Sequence, residues 1–584
     1  MKNFVLPLSL LIFCLALFSF KADDVAAGFK GDENFYFQSA KEMLQRGDFI
    51  TPRYLGSERF QKPILFYWFI IGFFKVAGIS WFSARLPSIL FGALTTVLIY
   101  YISNLMFDDV KIGMCAALFT ATSCLWYRYA RLAVPDMALI FFITLALFCY
   151  LRRCYNSSGR LNMTFFFIFM ALAFLVKGIS AVALPLFIIT AYHLAVRKKL
   201  PFSVSEFCVG IGIFLVITVP WFYLMYRQYG NSYLHYVWNR EVLQRLGYGH
   251  TTNFFIRYGK SVGFYVTSLI AHFPPYSFFI PFALIRSVGI IRGRGSEDVR
   301  EYRSRHMFLV TWIAVVFVFF TFVAERHEHY LLALVPAAFI LIGEYFVRAL
   351  RDEQFFFKSA FRIPYYLSIA AVIFFTLLCV VSFSVISGNA EVSQWWFLLI
   401  PIAILAGYRY KKTVLMPLSF VLSLTVLHIL LVVSPPFGGL FTNKMQYAAR
   451  IIAESFHDGD RIGIGSHGII PEELQVYFED TPVEVVKVRY YNDGTPHYET
   501  AKRLLDFLSA EERVFCVIKK RDYETFVPGE IKDKLYILDS YYVWKRRIRF
   551  NTGSFHLRNY SPGNFREIFQ NELYIVSNKE AKEM

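Results

Sequence analysis

Carboxylate and cationic side chains recur at the ends of the long apolar segments of this chain. The acidic candidates are Asp32, Glu33 and Asp136, and Lys62 and Lys177 are candidates for binding an anion. Cations can bind a phosphate and stabilise it as a leaving group, while a carboxylate can take the proton of an attacking hydroxyl. The mixture predicts transfer of a group from a lipid phosphate, entering from the bilayer, to an acceptor hydroxyl.

Further ionisable residues fall at the same ends of the predicted helices, namely Arg131, Arg245 and the run from Arg326 to Tyr330. An ionisable group costs several kcal/mol at the centre of a bilayer and persists mainly where it acts. Two plainer interpretations remain open. Lys62 and Lys177 fit snorkelling lysines at the interface. The His-x-His spacing within 326–329 is weak evidence for a metal, and solvated loop residues are the better interpretation.

The composition is that of a chain solvated by lipid. Hydrophobic residues make up 56% of the 584 residues and charged residues 18%, against about 25% charged in soluble proteins. Apolar runs close to the roughly 20 residues that a bilayer core requires recur along the chain. They predict spans at 4–20, 84–106, 112–128, 137–151, 163–180, 182–196, 202–224, 262–285, 307–324, 330–347, 365–386, 395–408 and 415–433. The net charge of +17 lies largely in short loops, so it does not indicate nucleic acid.

The basic loops predict the orientation of the spans. If the loops at 152–160, 197–199, 286–305, 348–362 and 409–412 are cytoplasmic, the N-terminus is cytoplasmic and the C-terminus is outside. The apolar stretch from Pro63 to Ile79 is short and carries Lys75, so we expect it to lie in the interface without crossing. About thirteen crossings remain, the first a retained helix, and residues 21–83 form the first external loop.

A polar region follows Val433. Ser434, Pro435 and Pro436 end the last apolar segment, and residues 434–584 alternate short apolar runs with helix-like segments. This predicts a small extracytoplasmic α/β domain with some parallel strand pairing, after a transmembrane domain at 1–433. The predicted strands are Arg461–Gly465, Val483–Val488, Arg513–Ile518 and Leu535–Leu538, and the predicted helices are Pro471–Phe478 and Thr500–Leu508.

Short motifs occur in a characteristic order along the first 350 residues. They are Gly31-Asp32-Glu33-Asn34-Phe35-Tyr36, Gly47-Asp48-Phe49-Ile50-Thr51-Pro52-Arg53, Gln61-Lys62-Pro63, Ala84-Arg85-Leu86-Pro87-Ser88, Ala130-Arg131-Leu132-Ala133-Val134-Pro135-Asp136-Met137, Lys177-Gly178 and His329-Tyr330. The order resembles that of polyprenyl-phosphate glycosyltransferases with the GT-C fold, such as the aminoarabinose transferases of lipid A and the protein O-mannosyltransferases. The resemblance implies an α-helical polytopic membrane protein, and the C-terminal region is only loosely similar.

The resemblance also implies roles for individual residues. Asp32 corresponds to the catalytic base or acceptor-binding acid of that family, and Asp136 corresponds to a second essential carboxylate. Lys62, Lys177 and Tyr330 correspond to residues that line the site of the donor phosphate.

The rest of the expected site is less closely matched. Arg245 best matches an arginine of the large external loop, and Glu33 and Arg131 complete the expected substrate-binding set. Gln61 stands where the aminoarabinose transferases have a Glu that helps to bind a metal. We therefore assign no metal ligands and no certain cofactor, and dependence on a divalent metal stays open.

The sequence thus predicts a glycosyltransferase of the bacterial inner membrane. Its expected partners are a polyprenyl-phosphate-linked sugar donor, a lipid or protein acceptor and the membrane lipids. The first alternative is a transporter or flippase for a lipid-linked or anionic substrate. Many transporters show two related halves and interrupted helices at the midplane, and neither is evident in this sequence. The second alternative is a scaffold protein whose C-terminal domain binds a partner.

Overall fold

The described residues form two compact units. The first lies within 1–23, 39–378 and 396–430, and the second lies within 24–38, 379–395 and 431–584. The computed structural model describes residues 2–22, 32–156, 160–243, 254–293, 297–352, 354–355, 359–387, 415–433, 444–467, 469, 471–475, 477–478, 481–488, 498–544 and 570–580.

Helices occupy most of the chain as far as Val433. They are α1 (Lys2–Ser19), α2 (Asp32–Arg46), α3 (Leu65–Ala77), α4 (Trp81–Phe107), α5 (Val110–Ala121), α6 (Cys124–Ala130), α7 (Asp136–Asn156), α8 (Arg160–Lys177), α9 (Ser180–Val196), α10 (Val204–Tyr236), α11 (Phe254–His272), α12 (Phe279–Arg292), α13 (Glu297–Phe322), α14 (Val335–Arg351), α15 (Ser359–Ser387) and α16 (Leu415–Val433). Two short strands, β1 (Arg53–Tyr54) and β2 (Ser57–Glu58), pair as a hairpin, and a 3₁₀ helix (Glu328–Leu334) leads into α14.

Many of these helices are apolar enough to lie in a membrane. Within the described ranges, five are long enough to cross it, and α5 with α6 adds a bent pair. The five are Trp81–Phe107, Asp136–Tyr155, Val204–Arg240, Arg300–Phe322 and Glu328–Arg351, and the shorter apolar helices are Val5–Ser19, Leu65–Ala77, Leu161–Lys177, Ser180–Val196, Ala360–Phe374 and Pro417–Ile429. The predicted polytopic helical class is confirmed. The number of thirteen crossings stays a prediction, and the predicted span 395–408 lies outside the described residues.

The predicted span 112–128 is not one helix. It consists of α5 and α6, which meet at an angle of 67°. The Thr122 hydroxyl donates to the Leu118 carbonyl at 2.9 Å, and the Ser123 hydroxyl donates to the Thr120 carbonyl at 2.9 Å. Side-chain bonds to nearby backbone groups compete with a continuing helix. Because of this break, the axis of α6 points in a different direction from that of α5. Helix α6 is the element that precedes Asp136.

The predicted span 262–285 is also wrong as a single helix. Helix α11 ends at His272 and α12 begins at Phe279, with Pro274 and Pro275 between them. Proline has no backbone N–H, and its ring clashes with the preceding helical turn, so two consecutive prolines end the helix.

Helix α3 covers most of the stretch predicted to lie in the interface. Its 13 residues extend for about 20 Å, which is shorter than a bilayer core of roughly 30 Å. Phe66 and Ile70 are buried, whereas Trp68 and Val76 are exposed. An amphipathic helix that is too short to cross suits an interfacial position, which stays a prediction.

Helix α14 forms the centre of the first unit. It packs on α5, α12 and α13, and the window that qualifies it as a span is wholly buried. At Gly343, an added Cβ would lie 2.9 Å from the Ala116 nitrogen and 2.9 Å from the Ile112 carbonyl oxygen of α5. Small residues of this kind let the backbones of membrane helices approach closely.

The second unit contains a five-stranded mixed sheet. The strand order is β4-β3-β5-β7-β6, in which β3 is parallel to β4 and β5, and β7 is antiparallel to β5 and β6. The strands are β3 (Arg461–Ile464), β4 (Val483–Val485), β5 (Val514–Lys519), β6 (Tyr536–Trp544) and β7 (Gln570–Ser577), and the helices are α17 (Lys444–Ala453), α18 (Pro471–Gln475), α19 (Tyr498–Leu508), α20 (Lys520–Phe526) and α21 (Gly529–Lys532). The predicted α/β class and parallel pairing are confirmed.

Strand β5 carries the core on both faces of this sheet. Phe515 and Val517 belong to one apolar cluster, while Val514, Cys516 and Ile518 belong to the other. Successive side chains of a strand point to opposite faces, so a strand that is apolar throughout needs cover on both. The six elements predicted in 434–584 are present with shifted ends, and β7 was not predicted.

Candidate functional site

The centre of the candidate site is an ion pair between two predicted residues. The Nζ of Lys177 donates to the Oδ1 of Asp136 at 2.6 Å, and both side chains are about nine-tenths buried. Asp136 follows Pro135 and opens α7, where an acid suits the helix dipole. Lys177 ends α8 because Gly178 takes a φ of 82°, a left-handed conformation that glycine adopts readily at helix ends.

The 3₁₀ helix after α13 brings His329 to the same carboxylate. The Nε2 of His329 lies 3.8 Å from the Oδ1 of Asp136, and its Nδ1 lies 3.4 Å from the hydroxyl of Tyr129. Tyr129 donates to the Oε1 of Glu328 at 3.1 Å, and the Nη1 of Arg128 lies 3.9 Å from the same oxygen. Two carboxylates, a histidine and two cations therefore meet at Asp136 and Glu328.

The expectation that residues 326–329 are solvated is wrong for two of them. The side chains of Glu328 and His329 are 19% and 11% exposed, whereas His327 is 42% exposed. A short 3₁₀ helix offers no periodic pattern from which burial can be predicted. The one sequence feature that could have indicated their burial is their position directly before Tyr330.

A cavity of about 460 Å³ adjoins Lys177, within the range usual for small-molecule sites. Lys62 and Tyr330 also line it, and its other walls are mainly apolar, with Phe174, Phe187, Phe222, Phe319 and Phe320 among them. The Nζ of Lys177 lies 5.9 Å from the centre of the Tyr330 ring, which stacks on Phe320 at 4.4 Å. Two ammonium groups beside an apolar cavity suit a ligand with an anionic head and a hydrocarbon tail.

The segment before Lys62 is fixed to α10 by aromatic contacts. The ring of Phe60 packs edge-on against Tyr229, Tyr233 and Tyr236 at 5.0, 5.4 and 5.7 Å. Further along, Trp221 donates from Nε1 to the carbonyl of Ile50 at 2.9 Å. These contacts place the Lys62 segment against the helix that supplies Phe222 and Tyr233 to the cavity.

Arg131 occupies a different place from the one expected of a substrate-binding residue. It is 2% exposed and is not among the described residues that line the cavity. Its guanidinium donates to the carbonyls of Phe20 and Lys21 at 2.6 and 3.2 Å, and also to the hydroxyl of Tyr127. Arg85 similarly donates to the carbonyl of Ala22 at 2.8 Å. The two arginines therefore hold the chain at the end of α1.

Three other predicted residues are described separately. Asp32 and Glu33 form the first turn of α2 in the second unit, where Asp32 is exposed and Glu33 is buried, and their roles stay predictions. Arg245 lies outside the described residues. In the parts of the chain that the structure describes, no three His, Cys, Asp or Glu side chains are grouped as metal ligands would be.

A family profile matches the first part of the chain, and curated relatives match about half of it. Residues 5–235 match the profile of the family described as dolichyl-phosphate-mannose-protein mannosyltransferase. An uncharacterised protein of Aquifex aeolicus is 29% identical over 317 residues, which cover 54% of this chain and 68% of that protein. The undecaprenyl phosphate-alpha-4-amino-4-deoxy-L-arabinose arabinosyl transferase of Yersinia enterocolitica is 24% identical over 321 residues, or 54% of each chain. The match thus spans about half the length of that transferase.

Comparison with solved structures covers nearly the whole chain. The crystal structure of ArnT from Cupriavidus metallidurans bound to undecaprenyl phosphate superposes with a TM-score of 0.66 at 18% identity, over 99% of both chains. The apo form of the same protein gives a TM-score of 0.65 at 17% identity. This chain therefore has the GT-C membrane fold, and it resembles the aminoarabinose transferases and the protein O-mannosyltransferases in sequence.

Proposed function

We propose that this protein is a membrane glycosyltransferase that moves a sugar from a polyprenyl phosphate to an acceptor hydroxyl. The observation that carries the proposal is the position of Lys62 and Lys177 at one apolar cavity, with Lys177 paired to Asp136. Such a cavity suits an isoprenoid chain, and its two ammonium groups suit a phosphate. Relatives named for transfer from undecaprenyl phosphate support undecaprenyl as the donor lipid.

In the proposed reaction, the acceptor oxygen attacks the anomeric carbon as the bond from that carbon to the phosphate oxygen breaks. The bonding electrons leave with the phosphate, whose growing charge Lys62 and Lys177 stabilise. Preorganised cations in a site shielded from water are effective in this task. The acceptor proton passes to a carboxylate, for which we propose Asp32. Attack opposite the leaving phosphate inverts the anomeric configuration.

We also propose a location for the reaction. The N-terminus is cytoplasmic, residues 21–83 lie outside, and the α/β domain of residues 434–584 lies in the periplasm beside the acceptor. The supporting observation is the set of basic loops, which the positive-inside rule places in the cytoplasm. The test must distinguish three classes of acceptor, namely lipid A, another glycolipid and a protein.

The test is transfer of labelled sugar in membranes that contain the protein, followed by mass spectrometry of lipids and proteins. The wild type should yield a new glycosylated product. In the Lys177→Met and Asp32→Asn variants, the rate of its formation should fall by roughly 100-fold or more. Lys111→Met is the matched control, because Lys111 is an exposed lysine of α5 that does not line the cavity. Movement of a substrate across the membrane without covalent transfer would instead support the alternative that the protein is a transporter or flippase.

A further inference from the structure

The imidazole of His329 bridges two groups from different helices. Its Nδ1 faces the hydroxyl of Tyr129 at 3.4 Å, and its Nε2 faces the Oδ1 of Asp136 at 3.8 Å. The same Oδ1 receives the ammonium group of Lys177 at 2.6 Å. One carboxylate oxygen is thus shared between a flexible lysine that lines the cavity and a histidine held on a short 3₁₀ helix.

The two groups nearest to the ring nitrogens of His329 are both acceptors towards it. Tyr129 has one O–H, which it donates to Glu328, so towards Nδ1 its oxygen can only accept. An ionised Asp136 likewise only accepts. A ring with a proton on each nitrogen, an imidazolium, is the form that interacts favourably with both of these acceptors.

The charged surroundings fit this state. Tyr129 of α6, Asp136 of α7 and the neighbouring His327 and Tyr330 lie next to His329. Arg128 of α6 and Lys177 of α8 pair with the adjacent carboxylates of Glu328 and Asp136. With an imidazolium at His329, three cations accompany the two carboxylates of Asp136 and Glu328. The excess of one positive charge suits a site that receives an anion.

We propose that His329 is a positioning residue that keeps Asp136 in place when Lys177 turns to the donor phosphate. A phosphate in the cavity competes with Asp136 for the ammonium group of Lys177, and Asp136 then loses part of its counter-charge. The imidazolium at the same oxygen replaces that charge, so the carboxylate neither moves nor takes up a proton. This role rests on the proposed transfer function.

The experiment compares wild type, His329→Gln and His329→Ala for kcat and donor KM across pH 5.5–9. For His329→Gln, whose amide can donate a hydrogen bond but carries no charge, we expect kcat to fall roughly 10- to 100-fold, with donor KM changed less than about threefold. The wild-type rate should decline as rising pH removes the imidazolium proton, and the variants should lack that decline. His327→Gln, two residues away and more exposed, should keep the wild-type profile.

A second measurement does not depend on activity. Nitrogen NMR of histidine-labelled protein, with His329→Gln to assign the resonance, should show both ring nitrogens protonated near neutral pH. A neutral ring, or a His329→Gln variant that matches the wild type in rate and pH profile, would overturn the role of His329 even in an active transferase. Absence of transfer by the wild type with every polyprenyl donor would overturn the proposed function instead.

Discussion

The Nζ of Lys177 lies 2.6 Å from the Oδ1 of Asp136, although 41 positions separate the two residues in the sequence. Asp136 is the first residue of α7 and Lys177 is the last residue of α8. The pair therefore closes a helical hairpin at the end opposite its connection. Lys177 contacts both the carboxylate and the cavity, so it couples the predicted acid to the predicted phosphate site.

Asp136→Asn should abolish most of the transfer activity. The substitution removes the counter-charge of Lys177 and a predicted acid of the site, and we expect a loss of roughly 100-fold or more. The unpaired, nine-tenths buried ammonium should also lower the free energy of unfolding by about 1–3 kcal/mol. Initial transfer rates and thermal unfolding in detergent measure the two effects. An Asp136→Asn protein with the activity of the wild type would remove Asp136 from the site.

The double variant Asp136→Asn with Lys177→Met separates these two effects. Without the lysine charge, no unpaired ammonium remains, so the double variant should be more stable than Asp136→Asn alone. Its activity should stay low, because one of the two lysines that we propose to bind the donor phosphate is missing. If activity returned together with stability, the pair would have a structural role only.

Glu344→Gln should reduce stability without a direct effect on transfer. Glu344 of α14 pairs with Arg286 of α12 and accepts a hydrogen bond from Tyr302 at 2.5 Å. Loss of one partner of a buried ion pair costs about 3–5 kcal/mol, so the melting temperature should fall markedly. The rate per folded molecule should remain near that of the wild type, because none of the three residues lines the cavity. A defect in kcat at full folding would contradict this separation.

Gly343→Ala should loosen the packing of α14 on α5. The added methyl group would meet backbone atoms of Ile112 and Ala116, which cannot yield as a flexible side chain does, and overpacking costs about 1–3 kcal/mol. Gly289→Ala is the control, since a Cβ at Gly289 meets nothing within 4 Å. Thermal unfolding of both variants tests the contact, and equal melting temperatures would contradict it.

Labelling of cysteines with a membrane-impermeant maleimide should show which parts of the chain lie on each side of the membrane. Cys154 is exposed in the last turn of α7, within the segment 152–160 that is predicted to be cytoplasmic, so it should react only after the inner membrane is opened. Tyr498 is 78% exposed in the second unit, and Tyr498→Cys in a Cys154→Ser background should react in cells with only the outer membrane permeabilised. The reverse pattern would invert the proposed topology.

Cys516 should remain unlabelled in the folded protein on either side of the membrane. Its side chain is 0% exposed, and burial raises the pKa of the thiol from 9.0 to about 12. At pH 8 the reactive thiolate is therefore scarce and inaccessible. Above pH 9 the unfolded state alone ionises, so the stability of this domain should fall as the pH rises. Labelling before and after denaturation at pH 8 measures the accessibility.

The sequence predicted the parts of the site that depend on local signals. Lys177 followed by Gly178, and Asp136 preceded by Pro135, lie at the end of one helix and the start of another, within a few residues of the ends predicted for the spans 163–180 and 137–151. The lysines at 62 and 177 were predicted to serve one site, and both line the same cavity. Apolar run length was sufficient to predict the polytopic class.

The remaining features depend on contacts between distant segments. His329 and Glu328 are largely shielded from solvent because α6 and α7 pack against their short 3₁₀ helix, and nothing in their own sequence indicates that contact. Arg131 was expected at the substrate site, but its partners are the carbonyls at the end of α1. Strand β7 pairs with β5 and β6, and such long-range pairing cannot be derived from a single run of residues.

The burial of α14 also bears on how the chain is made. Its carboxylate, Glu344, is expensive to place in lipid, yet its partners Arg286 and Tyr302 precede it in the sequence. The helices on which α14 packs most extensively, namely α5, α12 and α13, also precede it, although Tyr345 and Phe346 contact Phe361 of the helix that follows. The ribosome synthesises the chain from its N-terminus. When α14 is made, the helices on which it mainly packs and the counter-ion of Glu344 have therefore already been synthesised. With this order of synthesis, Glu344 can pair with Arg286 as soon as α14 enters the bilayer, so its charge need not remain unpaired in lipid.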